Sequence, residues 1–225
     1  MKTETSILIQ GFLKGRFSIM LLVFAALFLV LPVLPQGWIA RTTSDVINIA
    51  VVISCLRAIS VSRIYFSVMV LFTALIVLIE STAIVKHIEG GGFETFMLSF
   101  KLVYLLLIFI SIMRHVLDRS PVTVDKVCGA LSAYFLMGFT WAVGFTLFHH
   151  INPASFNVPI EGPETWATYF SFTTLATLGY GDITPQTVPA RAYAIMEAVT
   201  GQIFLAVIVA RLIALQILHK VAGDA

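Results

Sequence analysis

Long apolar runs alternate with short polar breaks along the whole chain. Six runs approach the ~20 residues that a helix needs to cross the hydrocarbon core of a bilayer. These predicted spans cover residues 17–34, 46–62, 64–85, 96–113, 127–148 and 188–218. A seventh run, residues 165–178, is too short to span and is rich in threonine and aromatic residues, so we expect a re-entrant helix buried in protein. The pattern predicts an all-α membrane protein with six spans and one re-entrant segment.

Composition supports the same class. Hydrophobic residues make up 59% of the 225 residues and charged residues 12%, whereas soluble domains are usually about 45–50% apolar. The net charge of +2 comes without a basic block, so nucleic acid is not an expected partner. Cys55 and Cys128 both lie inside apolar runs, which indicates small buried side chains and neither a disulfide framework nor a metal site.

Basic residues near the ends of the spans predict the orientation. With a cytoplasmic N-terminus, ten lysines and arginines fall on the inner side, and Arg41, Lys86 and Arg191 on the outer side. This favours both termini in the cytoplasm and a re-entrant segment that enters from the outer face. A cleaved signal peptide at the first run is the rival interpretation, but that run is longer than the usual core of about 7–15 residues.

The motif ThrLeuGlyTyrGlyAsp occupies residues 177–182, called the TLGYGD segment below. Non-helical backbone at membrane depth is tolerated only when it is buried in protein or lines a watery path. Gly179 and Gly181 lack Cβ atoms and can take angles that let successive carbonyls point the same way. One such strand cannot enclose an ion, but four around an axis can replace the hydration shell of a monovalent cation with carbonyl oxygens.

The TLGYGD segment resembles the selectivity filter of tetrameric potassium channels, with Leu178 where valine is usual. Residues 169–176 resemble the pore helix of that family, and residues 201–212 its inner helix, so the resemblance covers the chain from about residue 127. It implies a homotetramer that conducts K⁺ passively, because the chain carries one copy of the filter. The implied filter residues are Thr177, Leu178, Gly179, Tyr180 and Gly181, with K⁺ bound at the first four as cargo and no other cofactor.

The same resemblance suggests roles for the residues around the filter. Asp182 is expected to support its outer end, with Trp166 as a candidate hydrogen-bond partner, although a solvated acid at the mouth is the alternative. Thr174 is grouped with them as filter support. Gly201 falls at the hinge position of the family and Ala206 at the narrow inner passage, which makes them the candidate gating residues.

The first four spans resemble a voltage-sensor domain in number only. Steep voltage sensing needs several charges per subunit on one span, since one charge is worth about 2.3 kcal/mol per 100 mV. The fourth predicted span contains Lys101 alone, and Arg114 and Arg119 come only at its inner end. We therefore expect weak or absent voltage dependence, with a voltage-gated channel whose sensor is degenerate as the alternative.

The sequence is compatible with two alternative roles for each of the other polar residues at membrane depth. Lys101 and Glu80 lie at similar predicted depths, and an intramembrane charge pair or snorkelling of the lysine would explain them. Glu197 lies one turn before Gly201, where it could contact the pore scaffold through a threonine or backbone donor or bias the pore towards cations. His149 and His150 are expected at the outer mouth, as an exposed turret or as a proton or metal site.

Four regions follow from this interpretation. Residues 1–16 form a cytoplasmic N-terminal segment, 17–119 the four-helix domain, 127–218 the pore domain and 219–225 a short cytoplasmic tail. The plan resembles channels of the bacterial inner membrane, with membrane lipids and K⁺ as partners. A non-conducting scaffold subunit stays open, whereas an enzyme is not expected because no catalytic constellation is visible within the spans.

Overall fold

Helices form nearly all the regular structure in the part of the chain that the computed structural model describes, residues 15–30, 67, 70–75, 91–158 and 166–223. The five helices are α1 (Arg16–Val30), α2 (Gly91–Val116), α3 (Val124–Ile151), α4 (Trp166–Leu175) and α5 (Val188–Gly223). Residues 70–75 are also helical. A 3₁₀ turn (Pro153–Ser155) and two short strands, β1 (Phe156–Asn157) and β2 (Thr184–Pro185), lie between the helices.

Three of the described helices are long and apolar enough to cross a membrane. They are Gly92–Val116, Val124–Ile151 and Val188–Ile217. They contain the predicted spans at 96–113 and 127–148 and all but the last residue of the predicted span at 188–218. Helix α1 covers part of the first predicted span, with a shorter apolar stretch at Phe17–Ala26. The predicted span at 46–62 and most of 64–85 lie outside the described residues.

Local capping explains where the long helices begin and end. The Thr123 hydroxyl accepts a hydrogen bond from the backbone N–H of Lys126 at the start of α3, and the Thr187 hydroxyl accepts one from Ala190 at the start of α5. Such caps satisfy N–H groups that have no partner within the helix. After α3, the Asn152 side chain caps the 3₁₀ turn.

The chain divides into two compact units. The first comprises residues 1–87 and 110–133, and the second residues 88–109 and 134–225. Within the first unit, Asp125 accepts a hydrogen bond of 2.9 Å from the backbone N–H of Phe17 near the start of α1. Lys126 is buried, and its Nζ lies 2.7 Å from Oδ1 of Asp118.

The second unit has an aromatic core between the end of α3, α4 and the start of α5. The Phe145 ring makes edge-on contacts with Phe156, Phe170 and Tyr193 at centroid distances of 4.8–5.5 Å. Strands β1 and β2 pair antiparallel, with Phe156 opposite Pro185. Since β2 follows the TLGYGD segment, this pairing anchors the chain just beyond it.

Candidate functional site

The TLGYGD segment begins directly at the end of a short buried helix. The predicted re-entrant segment at 165–178 is helical as α4, Trp166–Leu175, which is too short to span a bilayer. The helix is therefore ten residues long and ends next to the TLGYGD segment. The buried residues of this helix are Ala167, Phe170, Ser171, Thr173 and Leu175.

The end of α4 is closed by hydrogen bonds from the TLGYGD segment itself. The Thr173 carbonyl accepts from the N–H groups of Leu178, at 2.8 Å, and of Gly179, at 3.2 Å. The Thr174 carbonyl accepts from the N–H of Thr177 at 2.9 Å. Thr174, predicted as filter support, thus holds the start of the segment through its carbonyl. These bonds fix the direction in which the segment leaves the helix.

The backbone of the segment alternates in handedness. Thr177, Gly179 and Gly181 have φ of 59°, 55° and 81°, and Thr177 is the one non-glycine residue with positive φ in the described part of the chain. A backbone whose φ alternates in sign can turn successive N–H groups to one side, and the N–H groups of Leu178 and Gly179 do share one acceptor, the Thr173 carbonyl. Glycine takes this conformation at little cost, whereas a β-branched threonine there is a true outlier. Such strain is typical of functional sites.

All six residues of the TLGYGD segment are exposed in the single chain. Leu178 is 57% exposed and Tyr180 67% exposed, although both are large apolar or aromatic side chains. A Cβ atom added at Gly179 or Gly181 would meet nothing within 4 Å. The five predicted filter residues are therefore contiguous and exposed in the single chain.

Asp182 is held by a tyrosine of α4. The Tyr169 hydroxyl donates a hydrogen bond of 2.7 Å to Oδ2 of Asp182, and this bond keeps the pKa of the Asp182 carboxyl below its usual range. The Tyr169 and Tyr180 rings are also nearly parallel, with centroids 6.4 Å apart. One side chain of α4 thus contacts two residues of the TLGYGD segment.

Asp182 therefore accepts its hydrogen bond from Tyr169 and not, as had been expected, from Trp166. Trp166 lies one turn earlier on α4, and its ring packs against His149 and Phe156 at centroid distances of 5.2 and 5.3 Å. It stabilises the base of α4 instead of the end of the TLGYGD segment. Sequence reasoning did not assign this hydrogen bond to Tyr169, although its spacing of three residues from Trp166 places it on a neighbouring turn of the same helix.

The two predicted gating residues lie in different surroundings. Gly201 is buried, and a Cβ atom there would lie 2.7 Å from Cδ1 of Leu175 and 3.2 Å from its carbonyl oxygen. The glycine thus permits close approach between α5 and the end of α4. Ala206 is exposed in the single chain. Helix α5 continues through both positions without a break.

Glu197 is wholly buried between α4 and the other helices of the second unit. The Ser171 hydroxyl makes a short hydrogen bond with Oε1 of Glu197 and lies 2.7 Å from the Gly138 carbonyl of α3. The carboxyl therefore contacts α4 through a serine, whereas a threonine or backbone donor was expected, and its role at a pore stays a prediction. The sequence did not indicate Ser171.

The remaining predicted sites are only partly within the described residues. Lys101 is half-buried on α2, while its predicted partner Glu80 lies outside the described residues. His150 Nδ1 lies 3.5 Å from a carboxylate oxygen of Glu94, and His149 packs on Trp166. Within the described ranges, no group of three or more histidines, cysteines or acids could hold a metal ion.

Comparison with known proteins places this site in a segment related to ion channels. A family profile described as "Ion channel" matches residues 136–216. A "Two-pore potassium channel 2" of Arabidopsis thaliana is 29% identical over 94 residues, which cover 42% of this chain and 20% of that relative. No solved structure matches significantly. The similarity supports an ion channel in a multi-pass membrane protein, and it covers α4, the TLGYGD segment and most of α3 and α5.

Proposed function

We propose that the chain is one subunit of a homotetrameric channel that conducts K⁺ passively across a cell membrane. The observation that carries the proposal is the alternating sign of φ along residues 177–181, because a backbone of this kind can present successive carbonyl oxygens on one side of the strand. Oxygens supplied by four such strands can replace the hydration shell of K⁺. The named relative is a potassium channel, which supports K⁺ as the ion.

Exposure of the segment supports an assembly of several subunits. A single chain leaves the TLGYGD segment exposed, together with apolar side chains of α5 between Val188 and Ile217. Val188, Ile195, Ile203 and Ile213 are all more than half exposed. In a tetramer, neighbouring subunits and membrane lipids would cover these surfaces. Potassium is the cargo of the strand, and no further cofactor is needed for passive conduction.

Weak or absent voltage dependence forms part of the proposal. Helix α2 carries Lys101 within its apolar stretch, and Arg114 and His115 only in its last turn. One intramembrane charge gives far less steep gating than the several charges of voltage sensors. Both termini are proposed to face the cytoplasm, as the distribution of basic residues predicts. A bacterial inner membrane fits the resemblance to short prokaryotic channels.

The proposal is tested by ion flux into liposomes that contain the purified protein. We expect K⁺ uptake that Ba²⁺ blocks and that Na⁺ cannot replace. Gly179→Ala should abolish it, because an alanine at a φ of 55° is strained and disturbs the alignment of the carbonyls. Gly92→Ala is the matched control, since a Cβ there also meets nothing within 4 Å but no left-handed φ is required.

Three outcomes would contradict the proposal. Equal uptake of Na⁺ and K⁺ would remove the role of the carbonyl strand in selectivity. Undiminished K⁺ uptake by Gly179→Ala, in a preparation as tetrameric as Gly92→Ala, would show that ions take another path. Absence of any flux from a well-folded tetramer would favour the scaffold alternative.

A further inference from the structure

Three helices of the second unit meet at one serine hydroxyl. Ser171 of α4 is wholly buried, with its Oγ 2.7 Å from the Gly138 carbonyl of α3 and in short contact with Oε1 of Glu197 on α5. Gly138 makes this approach possible, because a Cβ there would lie 2.5 Å from the ring of Phe172. The hydroxyl is thus the junction between the pore helix and both long helices.

A count of protons at this junction decides the state of Glu197. Each of the two O···O contacts needs one proton, but a serine hydroxyl carries a single proton and the Gly138 carbonyl carries none. If the serine donates to Gly138, its oxygen must accept from Glu197, which is then a carboxylic acid. A carboxylate would leave two acceptors competing for one proton. Only the neutral acid satisfies both contacts.

The surroundings of the carboxyl agree with a neutral group. Glu197 is 0% exposed, and its Oε2 has no hydrogen-bond partner among the described residues. The ion pairs of the described ranges involve other residues. The titratable side chains that interact electrostatically with it there are Tyr134 on α3 and Tyr193 on α5, whereas α4 contributes the serine alone. Phenols are uncharged at neutral pH. Among the described residues, therefore, no cation compensates a carboxylate at this position, and burying an uncompensated carboxylate would be costly.

The junction lies close to the anchor of the TLGYGD segment. Ser171 lies two residues before Thr173, whose carbonyl accepts hydrogen bonds from the N–H groups of Leu178 and Gly179. Glu197 lies one helical turn before Gly201, and at Gly201 α5 packs against Leu175 at the end of α4. A shift of α4 at Ser171 would therefore be passed to the carbonyl strand through backbone hydrogen bonds.

We infer that Glu197 is a positioning residue for conduction, which in its protonated form donates to Ser171 and so holds the pore helix to α3 and α5. The inference rests on the proposed channel function. Loss of the proton breaks one of the two hydrogen bonds at Ser171 and places an uncompensated charge beside α4. Conduction should then fall as the pH rises. It should recover when the pH is lowered again.

Glu197→Gln tests this role directly, because an amide N–H₂ can donate to Ser171 at any pH. At neutral pH its K⁺ current should be within about twofold of the wild type, a difference below about 0.5 kcal/mol. On transfer to alkaline pH the wild-type current should fall about tenfold, equivalent to about 1.4 kcal/mol, and the current of Glu197→Gln should not. Glu94→Gln removes a carboxyl that is 68% exposed and should keep the wild-type pH profile.

Infrared spectroscopy gives a second readout that does not need conduction. A protonated carboxyl gives a C=O stretching band outside the amide bands, and we expect such a band at neutral pH in the wild type and in Glu94→Gln. It should be absent in Glu197→Gln and shifted in Ser171→Ala, which lacks the hydroxyl partner. A tetramer that shows this band but carries no current would contradict the proposed channel and leave the protonated junction supported.

Several results would overturn the inference. They are the same alkaline loss of current in Glu197→Gln as in the wild type, a wild-type current that does not change with pH, and a tetrameric Glu197→Gln variant without current at neutral pH. An infrared spectrum without a carboxylic acid band that depends on Glu197 would overturn it independently of any current.

Discussion

Replacing Gly201 with alanine separates two roles for this residue. The added Cβ would lie 2.7 Å from Cδ1 of Leu175 and 3.2 Å from its carbonyl oxygen. Leu175 is wholly buried, so its side chain has little room to move, and its carbonyl belongs to the end of α4. The substitution therefore forces α5 away from the helix that carries the TLGYGD segment.

The expected cost follows from two opposing terms. Overpacking a buried site costs about 1–3 kcal/mol, and the upper part of that range, about 2–3 kcal/mol, applies here because both the Leu175 side chain and its carbonyl oxygen lie in the way. Alanine is favoured over glycine within a helix by about 1 kcal/mol. Gly201→Ala should therefore destabilise each subunit by about 1–2 kcal/mol. For a chain of this size the unfolding temperature should fall by about 2–8 °C. Gly92→Ala, whose Cβ meets nothing within 4 Å, should show no such fall.

Thermal unfolding of the detergent-solubilised protein, measured by circular dichroism, is the assay. A double-mutant cycle with Leu175→Ala identifies the contact, because removal of Cδ1 should make the alanine at 201 less costly by about 1 kcal/mol. If Gly201→Ala is as stable as the wild type but changes the open probability of the channel, the close-approach argument is wrong. The glycine would then act as the flexible hinge that the family resemblance suggests.

Two further predictions concern carboxyl groups outside the spans. Tyr169→Phe removes the donor that lowers the pKa of Asp182. The change in K⁺ current that follows protonation of Asp182 should therefore occur at higher pH in this variant than in the wild type. The same dependence of the current on acid pH in both proteins would exclude the role of this bond. Asp118→Asn leaves buried Lys126 without its carboxylate partner. The free energy of unfolding should fall by about 1–3 kcal/mol, which lies between the values for exposed and for buried ion pairs because Asp118 is 41% exposed. The Lys126 hydrogen bond holds the pKa of Asp118 well below its usual value, so wild-type stability should be lost as the pH falls below about 4, and thermal melts of Asp118→Asn should lack that acid dependence.

Hydropathy was sufficient to predict the helices that carry the site. The predicted spans at 96–113, 127–148 and 188–218 fall within α2, α3 and α5, and the re-entrant run at 165–178 contains α4. Long apolar runs are expected to be helical in a membrane, because every backbone polar group there must form its hydrogen bond within the protein. The pattern could not establish the predicted charge pair, since Glu80 lies outside the described residues.

Contacts between helices were harder to predict than the helices themselves. The sequence indicated that Asp182 needs a donor, but the choice between Trp166 and Tyr169 depends on the rotation of α4 about its axis. The Ser171–Glu197 contact likewise depends on how two helices distant in sequence pack. Positive φ was predictable at Gly179 and Gly181 but not at Thr177, because a β-branched residue rarely adopts it.

The central claim is that ions lose their water to carbonyl oxygens of residues 177–180. A bilayer recording of the purified protein, with K⁺ on both sides at different concentrations and then with Na⁺ replacing K⁺ on one side, tests it most directly. The account predicts a reversal potential that shifts by about 59 mV for each tenfold change in K⁺ and no inward current carried by Na⁺. A reversal potential that stays near zero when Na⁺ replaces K⁺ would contradict it.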